Sequence, residues 1–323
     1  MKAIRFSRTG GPEVLSYEDF ELPKPGPGQV RVKHTVIGVN FIDTYQRSGL
    51  YPVPLPSGLG LEAAGTVEAL GEGVSTLKIG DRVGYCSGPL GAYAEANNVP
   101  ADRLVKLPAN VSDEIAAASM LKGMTAQYLL KRAFPVQRGQ TILFHAAAGG
   151  VGLIACQWAK HLGATVIGTV GSDSKVALAR ENGCTHVLNT RTDEWPKKVR
   201  ELTGGAGVPV VYDSIGKDTW NGSLDSLAIR GVMVSFGNAS GPVPPFEPGI
   251  LSAKGSLYLT RPTLFNYTRD RKELQETADD LFAVIASGAV KVVIHQRFKL
   301  SQAREAHEAL HSRNTTGATV LIP

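Results

Sequence analysis

Ala146, Gly149 and Gly152 stand three residues apart in FHAAAGGVG, directly after the apolar run TILFH. They precede a stretch in which Val151, Ile154, Ala155, Trp158 and Leu162 recur at helical spacing and which ends at Gly163. A strand, a turn nearly bare of side chains and a helix suit one chemistry well. Gly149 permits a tight turn, Gly150 adds backbone freedom, and Gly152 lets the helix press on the strand. The free amides at the helix start then face a pyrophosphate, favoured by the helix dipole. A tight turn with no ligand gives the same local pattern, and a GxxG alone is weak. Here a second apolar strand, ATVIGTV, follows at the distance a dinucleotide fold requires.

That second strand bears on which dinucleotide is bound. NAD enzymes usually carry Asp or Glu at its end to accept the ribose hydroxyl. This chain offers Gly171 and Ser172, then Lys175 one turn further on. Small residues and a cation suit a 2′-phosphate, so the reading favours NADPH over NADH. Asp173 lies close by and argues the other way. Ser172 or Asp173 can also be read as an N-cap and Lys175 as an ordinary helix-face lysine.

The elements that must position these groups follow from the rest of the chain. Its 323 residues exceed the usual single-domain size and predict two domains. An apolar share of 43% with 20% charged residues is that of a globular enzyme. No apolar run approaches the roughly 20 residues of a membrane span, and the N-terminus lacks the apolar core of a secretory signal. Cys86, Cys156 and Cys184 form neither a CxxC pair nor an even-numbered framework, which points to a reducing cytoplasm. The net charge of +5 is dispersed, and its densest cluster, KKVR, reads as a solvated helix face. A nucleic-acid role is therefore disfavoured.

Up to about Leu121 the chain reads as short strands broken by Gly and Pro: KAIRF, ELPKPGPGQ, VRVKHTVIGVN, GTVEAL, DRVGYC and RLVKLP. From about Lys122 to Pro262 strands alternate with helical stretches, the pattern of a parallel sheet with crossover helices. Its strand candidates are TILFH, ATVIGTV, THVLN, VPVVYDS, GVMVSFG and GSLYLT. Two amphipathic helices flanking VVIHQRFKL, then TGATVLIP, return to the first domain. The expected boundaries are 1–121 with 263–323, and 122–262.

Over nearly its whole length, and in the right order, the sequence resembles the zinc-free quinone oxidoreductases (zeta-crystallin-like) of the medium-chain dehydrogenase/reductase superfamily. The resemblance is carried by GQTILFHAAAGGVGLIACQWAK, GVNFIDTYQRSGLYP, PSGLGLEAAGTVEALGEGV, GDRVGY, LKGMTAQYLL, VVYDSIG, VSFGNASG and SRNTTGATVLIP. It implies an α/β protein: a GroES-like β-barrel catalytic domain plus a Rossmann-type doubly wound parallel sheet, with a cleft between them. It also implies a homodimer paired through the Rossmann domain. Carried over residue by residue, Ala148, Gly149, Gly150 and Val151 would lie against the pyrophosphate. Gly171, Lys175 and Thr190 would surround the adenosine ribose and its phosphate. Ser214, Lys217, Phe236 and Gly237 would line the remaining cofactor cleft. Asn40, Tyr51 and Thr125 would lie near the nicotinamide, and Arg313 near the adenine. The family often has Tyr or His where this chain has Thr190, so aromatic packing at the phosphate end is lost.

A metal is not expected. Zinc-dependent relatives carry Gly-His-Glu where this chain reads Gly60-Leu61-Glu62, and leucine cannot ligate zinc. HEALH, from His307 to His311, fits the HExxH pattern, yet the following SRNTTGATVLIP supplies no His, Asp or Glu as a third ligand. His145 reads as a packed strand-end residue rather than a base. The chain contains no Tyr-x-x-x-Lys pair and no Gly-x-Ser-x-Gly elbow, which removes two other enzyme chemistries.

The expected activity is NADPH-dependent hydride reduction of a quinone without a metal. Asn40 would hold the acceptor or the carboxamide, Tyr45 and Tyr51 would give flat walls with polar tips, and Asp43 would orient neighbours or cap a loop. An alkenal or enone (enoyl) reductase of the same superfamily is the alternative. An NADPH-binding protein with an RNA-binding or structural role is a second alternative, of another class.

Overall fold

The runs TILF, TVIGTV and VPVVYD show almost no polar alternation, as strands covered on both faces should. The computed structural model describes residues 1–312 and 315–323. The chain forms two units: residues 1–124, 268–286 and 292–323, and residues 125–267 with 287–291.

The first unit contains β1 (Lys2–Phe6), β2 (Ser16–Asp19), β3 (Gln29–Val39), α1 (Phe41–Ser48), β4 (Ser57–Gly58) and β5 (Glu62–Leu70). It continues through β6 (Arg82–Tyr85), β7 (Ala96–Pro100), β8 (Val105–Lys106) and α2 (Asp113–Tyr128), whose last residues begin the second unit. The second unit holds β9 (Thr141–Phe144), α3 (Gly150–His161), β10 (Thr165–Val170), α4 (Val176–Glu181), β11 (His186–Asn189) and α5 (Trp195–Leu202). There follow β12 (Val208–Asp213), α6 (Trp220–Ser226), β13 (Leu227–Ser235), α7 (Gly249–Ala253), β14 (Tyr258–Thr260) and α8 (Leu264–Tyr267). The chain then returns to the first unit with α9 (Arg271–Ala286), β15 (Ile294–Lys299), α10 (Ala303–His311) and β16 (Ala318–Ile322).

In the second unit six strands lie in the order β11-β10-β9-β12-β13-β14, all parallel. This is the 3-2-1-4-5-6 order of the Rossmann sheet, in which ligands bind beyond the carboxyl ends of the strands. Leu143, Ile167, Val211, Trp195, Trp220 and Leu224 belong to one buried cluster of this unit. Each such side chain contributes about 1.5–3 kcal/mol by leaving water.

In the first unit a mostly antiparallel sheet runs β15-β16-β3-β5-β6-β8, with β7 also paired to β3, and a small sheet runs β2-β1-β4. Burial in β3 alternates over its first half and is continuous over its last four residues. One face of its start therefore meets solvent, while its end lies wholly in the core.

Three expectations are corrected. ELPKPGPGQ contributes no strand before Gln29, because Pro23, Pro25 and Pro27 supply no ladder N–H. Residues 41–48, read as part of a strand-rich region, form α1, and residues 113–128 form α2. The latter reads DEIAAASMLKGMTAQY; it is buried on nearly all sides, so no apolar stripe marks it as helical.

Candidate functional site

At the end of β9 the backbone turns through Ala146 at a φ of 52°, a conformation non-glycine residues adopt rarely. Gly149 caps α3, whose first intrahelical bond is Leu153 N–H to Gly149 O at 2.9 Å. Helix geometry therefore leaves the amides of Gly150, Val151 and Gly152 without helical acceptors. Gly152 is required by a close approach: a Cβ there would lie 2.2 Å from Ala146 O and 2.8 Å from Ala147 Cα. Beneath the turn, buried His145 receives a bond from Thr169 Oγ1 at 2.8 Å and donates from Nε2 to Ser223 Oγ at 2.9 Å. Ser223 in turn donates to Asp213 at 2.7 Å, which fixes the Nε2–H tautomer. Burial lowers the histidine's pKa, so it stays neutral. It ties β9, β10, β12 and α6 together, as expected of a packed residue.

The end of β10 carries the charge. A Cβ on Gly171 would meet open space. Asp173 opens a short 3₁₀ turn through Lys175, and its carboxylate accepts a bond from Asn189 Nδ2 at 2.8 Å. Asn189 Oδ1 accepts Arg191 N–H at 3.0 Å, and Thr190 N–H bonds Val170 O at 2.9 Å. The Lys175 ammonium is held below its usual pKa, first by partial burial and then by the charge of Arg191. Lys175 after β10 and Arg191 after β11 thus bring two cations to this end of the sheet, while the nearby acid is engaged by Asn189. An anion bound near them would favour their charged forms. Further along the same sheet edge, Gly237 packs so close to Ser214 that a Cβ would lie 2.5 Å from its carbonyl. The Phe236 ring lies 5.8 Å from that of Phe144, and Lys217 is exposed.

In the first unit, Asn40 follows β3 directly and caps α1. Asp43 Oδ2 accepts the Asn40 backbone N–H at 2.8 Å and the Tyr93 hydroxyl at 2.9 Å. Burial pushes Asp43 up to about 7 against these two bonds. His307 Nε2 lies 3.1 Å from the Tyr93 hydroxyl, and Arg47 donates to its Nδ1 at 3.4 Å. Burial and the Arg47 charge depress His307 to about 3. Tyr45 and Tyr51 meet edge to face with ring centroids 5.2 Å apart.

Two family models match the chain: "Alcohol dehydrogenase GroES-like domain" over residues 26–109 and "Zinc-binding dehydrogenase" over residues 150–283. A quinone oxidoreductase of Pseudomonas aeruginosa is 56% identical, with 100% of this chain and 99% of that protein aligned. The crystal structure of Escherichia coli quinone oxidoreductase complexed with NADPH superposes with a TM-score of 0.99 at 52% identity, covering 100% of both chains. The chain belongs to the quinone oxidoreductase family. A 2-haloacrylate reductase of a Burkholderia species is also similar, at 46% identity over 98% of this chain and 97% of that protein.

Within this family architecture, the medium-chain dehydrogenase/reductase one, the two groups of candidate residues fall in different units. Ala148, Gly149, Gly150, Val151, Gly171, Ser172, Lys175, Thr190, Ser214, Lys217, Phe236 and Gly237 all lie along the carboxyl edge of the second unit's sheet. Asn40, Asp43, Tyr45 and Tyr51 lie on or beside α1 in the first unit, and Thr125 opens the second unit on α2. Arg313 lies outside the described residues. Asp43 sits in the first turn of α1, where its carboxylate caps the Asn40 backbone N–H. HEALH is split by burial, because His307 is enclosed by Tyr93 and Arg47 while His311 is exposed. Sequence reading missed Arg191, Glu62 and Lys122. Arg191 had a signal: it follows the third strand of the sheet directly, where a chain beside the ribose end must pass.

Proposed function

We propose that the protein is an NADPH-dependent quinone reductase that works without a metal. The observation that carries the reading is the two cations Lys175, after β10, and Arg191, after β11, with Asp173 engaged by Asn189, on a chain related over its full length to quinone oxidoreductases. The residues fit NADPH: glycine at 152 clears the backbone approach, and the α3 amides and the two cations suit pyrophosphate and 2′-phosphate. Ala148, Gly149, Gly150 and Val151 would hold the former. Gly171, Ser172, Lys175, Thr190 and Arg191 would hold the latter, and Ser214, Lys217, Phe236 and Gly237 would line the groove between. Asn40, Tyr51 and Thr125 would face the nicotinamide, and Arg313 the adenine. NADPH supplies the hydride when bound.

The remaining work falls to orientation and exclusion of water. A quinone is electrophilic without a Lewis acid, which agrees with a buried Leu61 and a Glu62 whose two carboxylate oxygens are both engaged. Tyr45 and Tyr51 would flank a planar acceptor. The similarity to a 2-haloacrylate reductase favours one second reading, reduction of an activated carbon–carbon double bond.

The test is optical: oxidation of NADPH and NADH against 1,4-benzoquinone, a naphthoquinone, an alkenal and a 2-haloacrylate, with and without EDTA. Fast, EDTA-resistant turnover of quinone with NADPH is expected. Turnover of the unsaturated acids or aldehydes alone would move the substrate assignment to the second reading.

We further propose a cytoplasmic homodimer. Three buried free thiols support the compartment, and among the described residues no helix is long and apolar enough to cross a membrane. β14 is an edge strand whose Tyr258 is 62% exposed, and Ile229 nearby in β13 is 77% exposed. Pairing β14 with its copy would cover both. Sedimentation of Tyr258→Asp with Ile229→Asp is expected to show monomer where the parent shows dimer; a dimer in both would move the interface elsewhere.

A further inference from the structure

Glu62 is fully buried at the first position of β5, and its carboxylate collects three donors. Oε1 accepts Leu121 N–H at 2.6 Å; Oε2 accepts Lys122 Nζ at 3.0 Å and Asn40 Nδ2 at 2.8 Å. The fold makes room for this group with a glycine in mid-strand. A Cβ on Gly38 of β3 would lie 2.1 Å from Oε2 and 2.3 Å from Ala117 O. Lys122 is itself enclosed, with 6% of its side chain exposed.

Two consequences follow. An ionised carboxylate accepts and cannot donate, so only the NH₂ end of the Asn40 amide can face it; the flipped amide would set oxygen against oxygen. The second concerns charge. Asp43 lies within the field of both Glu62 and Lys122, and Tyr93 contacts it, with His307 and Arg47 behind that hydroxyl. Glu62 raises the proton affinity of Asp43 and Lys122 lowers it.

We propose that Glu62 and Lys122 are positioning residues of the reduction, holding the Asn40 amide with its NH₂ end toward the Glu62 carboxylate. The inference rests on reading Asn40 and Asp43 as pocket residues. Without the Lys122 charge, the repulsion from Glu62 is unopposed, so Asp43 holds its proton to higher pH. A neutral glutamine at 62 can offer either end of its own amide, so Asn40 loses its single orientation.

The test compares Lys122→Met, Glu62→Gln, the double variant and Lys122→Arg. It reads kcat and KM across pH, NADPH affinity by fluorescence, and the Asn40 side-chain NH₂ signals in ¹⁵N spectra of the nucleotide-free protein. Lys122→Met is expected to lower kcat at least about tenfold. Its pH limb should move alkaline, with NADPH affinity within about threefold, because the residues assigned to the pyrophosphate and 2′-phosphate lie in the other unit. Lys122→Arg should recover most of kcat. Lys122→Met leaves a buried carboxylate uncompensated and can unfold the protein. The double variant carries no buried charge there and keeps the measurement open. It should regain thermal stability, show two Asn40 environments and remain slow. A double variant with parental Tm, kcat and a single Asn40 signal would overturn the proposal and leave the pair a structural strut. If the parent reduces no quinone, the functional reading falls, while the Asn40 spectrum still decides the clamp.

Discussion

A Gly152→Ala protein is expected to lose about 3 kcal/mol of stability, the upper range for forcing atoms into a packed site. The added methyl would lie 2.2 Å from Ala146 O and 2.8 Å from two backbone atoms of Ala147, and none of these belongs to a side chain that could rotate away. Ala146 already holds a positive φ, so the turn has little slack. For a chain of 323 residues the loss would appear as a fall in Tm of roughly 4–5 °C. Two neighbours calibrate the result. At Gly149 the nearest atom to an added Cβ is 3.2 Å away, and at Gly171 nothing lies within 4 Å. Gly149→Ala should therefore lose little stability, and Gly171→Ala almost none. Differential scanning calorimetry of the three variants checks this order, and equal losses at 152 and 171 would refute the close-approach argument.

Lys175→Ala and Arg191→Ala should each reduce kcat/KM for NADPH by about 10- to 100-fold, since a hydrogen bond to a charged group contributes about 1.5–3 kcal/mol. The double variant should lose about 10³-fold, with some departure from additivity because the two cations repel each other in the parent. NADH carries no 2′-phosphate, so its kcat/KM should change by less than about threefold. Parallel measurement of both cofactors decides the matter. An equal loss for NADPH and NADH would mean that the cations hold the loop rather than the phosphate. Freeing Asp173 by Asn189→Ala should act in the same sense, reducing discrimination by returning a mobile carboxylate to the ribose end.

The second unit was legible in the sequence because its signals are local. TILFH, ATVIGTV, THVLN and VPVVYDS each became a strand, and the glycine turn fell between β9 and α3 as its spacing required. The first unit was less so. α1 is short and capped by Asn40, with Asp43 and Arg47 turned inward, so its polar residues look like a loop. α2 is enclosed and alanine-rich, so it has no amphipathic period to detect. The candidate site divides in the same way. Lys175 could be judged from its distance along the chain from Gly171, but Arg191 approaches it only because β11 pairs with β10. Glu62 and Lys122 are 60 positions apart, and nothing in their local sequence announces a pair. Gly38 shows the same limit: glycine in mid-strand reads as a weak β residue, whereas here its missing side chain admits a buried carboxylate.

The chain's two-part order bears on how it is made. β16, which lies between β3 and β15, is formed by residues 318–322, whereas β3 leaves the ribosome nearly 280 residues earlier. Throughout that interval one edge of β3 lacks its partner, and the apolar side chains Val36, Ile37 and Val39 lack part of their cover. The second unit, residues 125–267 with 287–291, is wholly made before β16 and can close while β3 waits. Synthesis thus imposes an order, nucleotide half first and barrel half last. Nascent chains halted before residue 318 would expose the open edge to other nascent chains and to holding chaperones, a vulnerability that ends only when β16 pairs with β3.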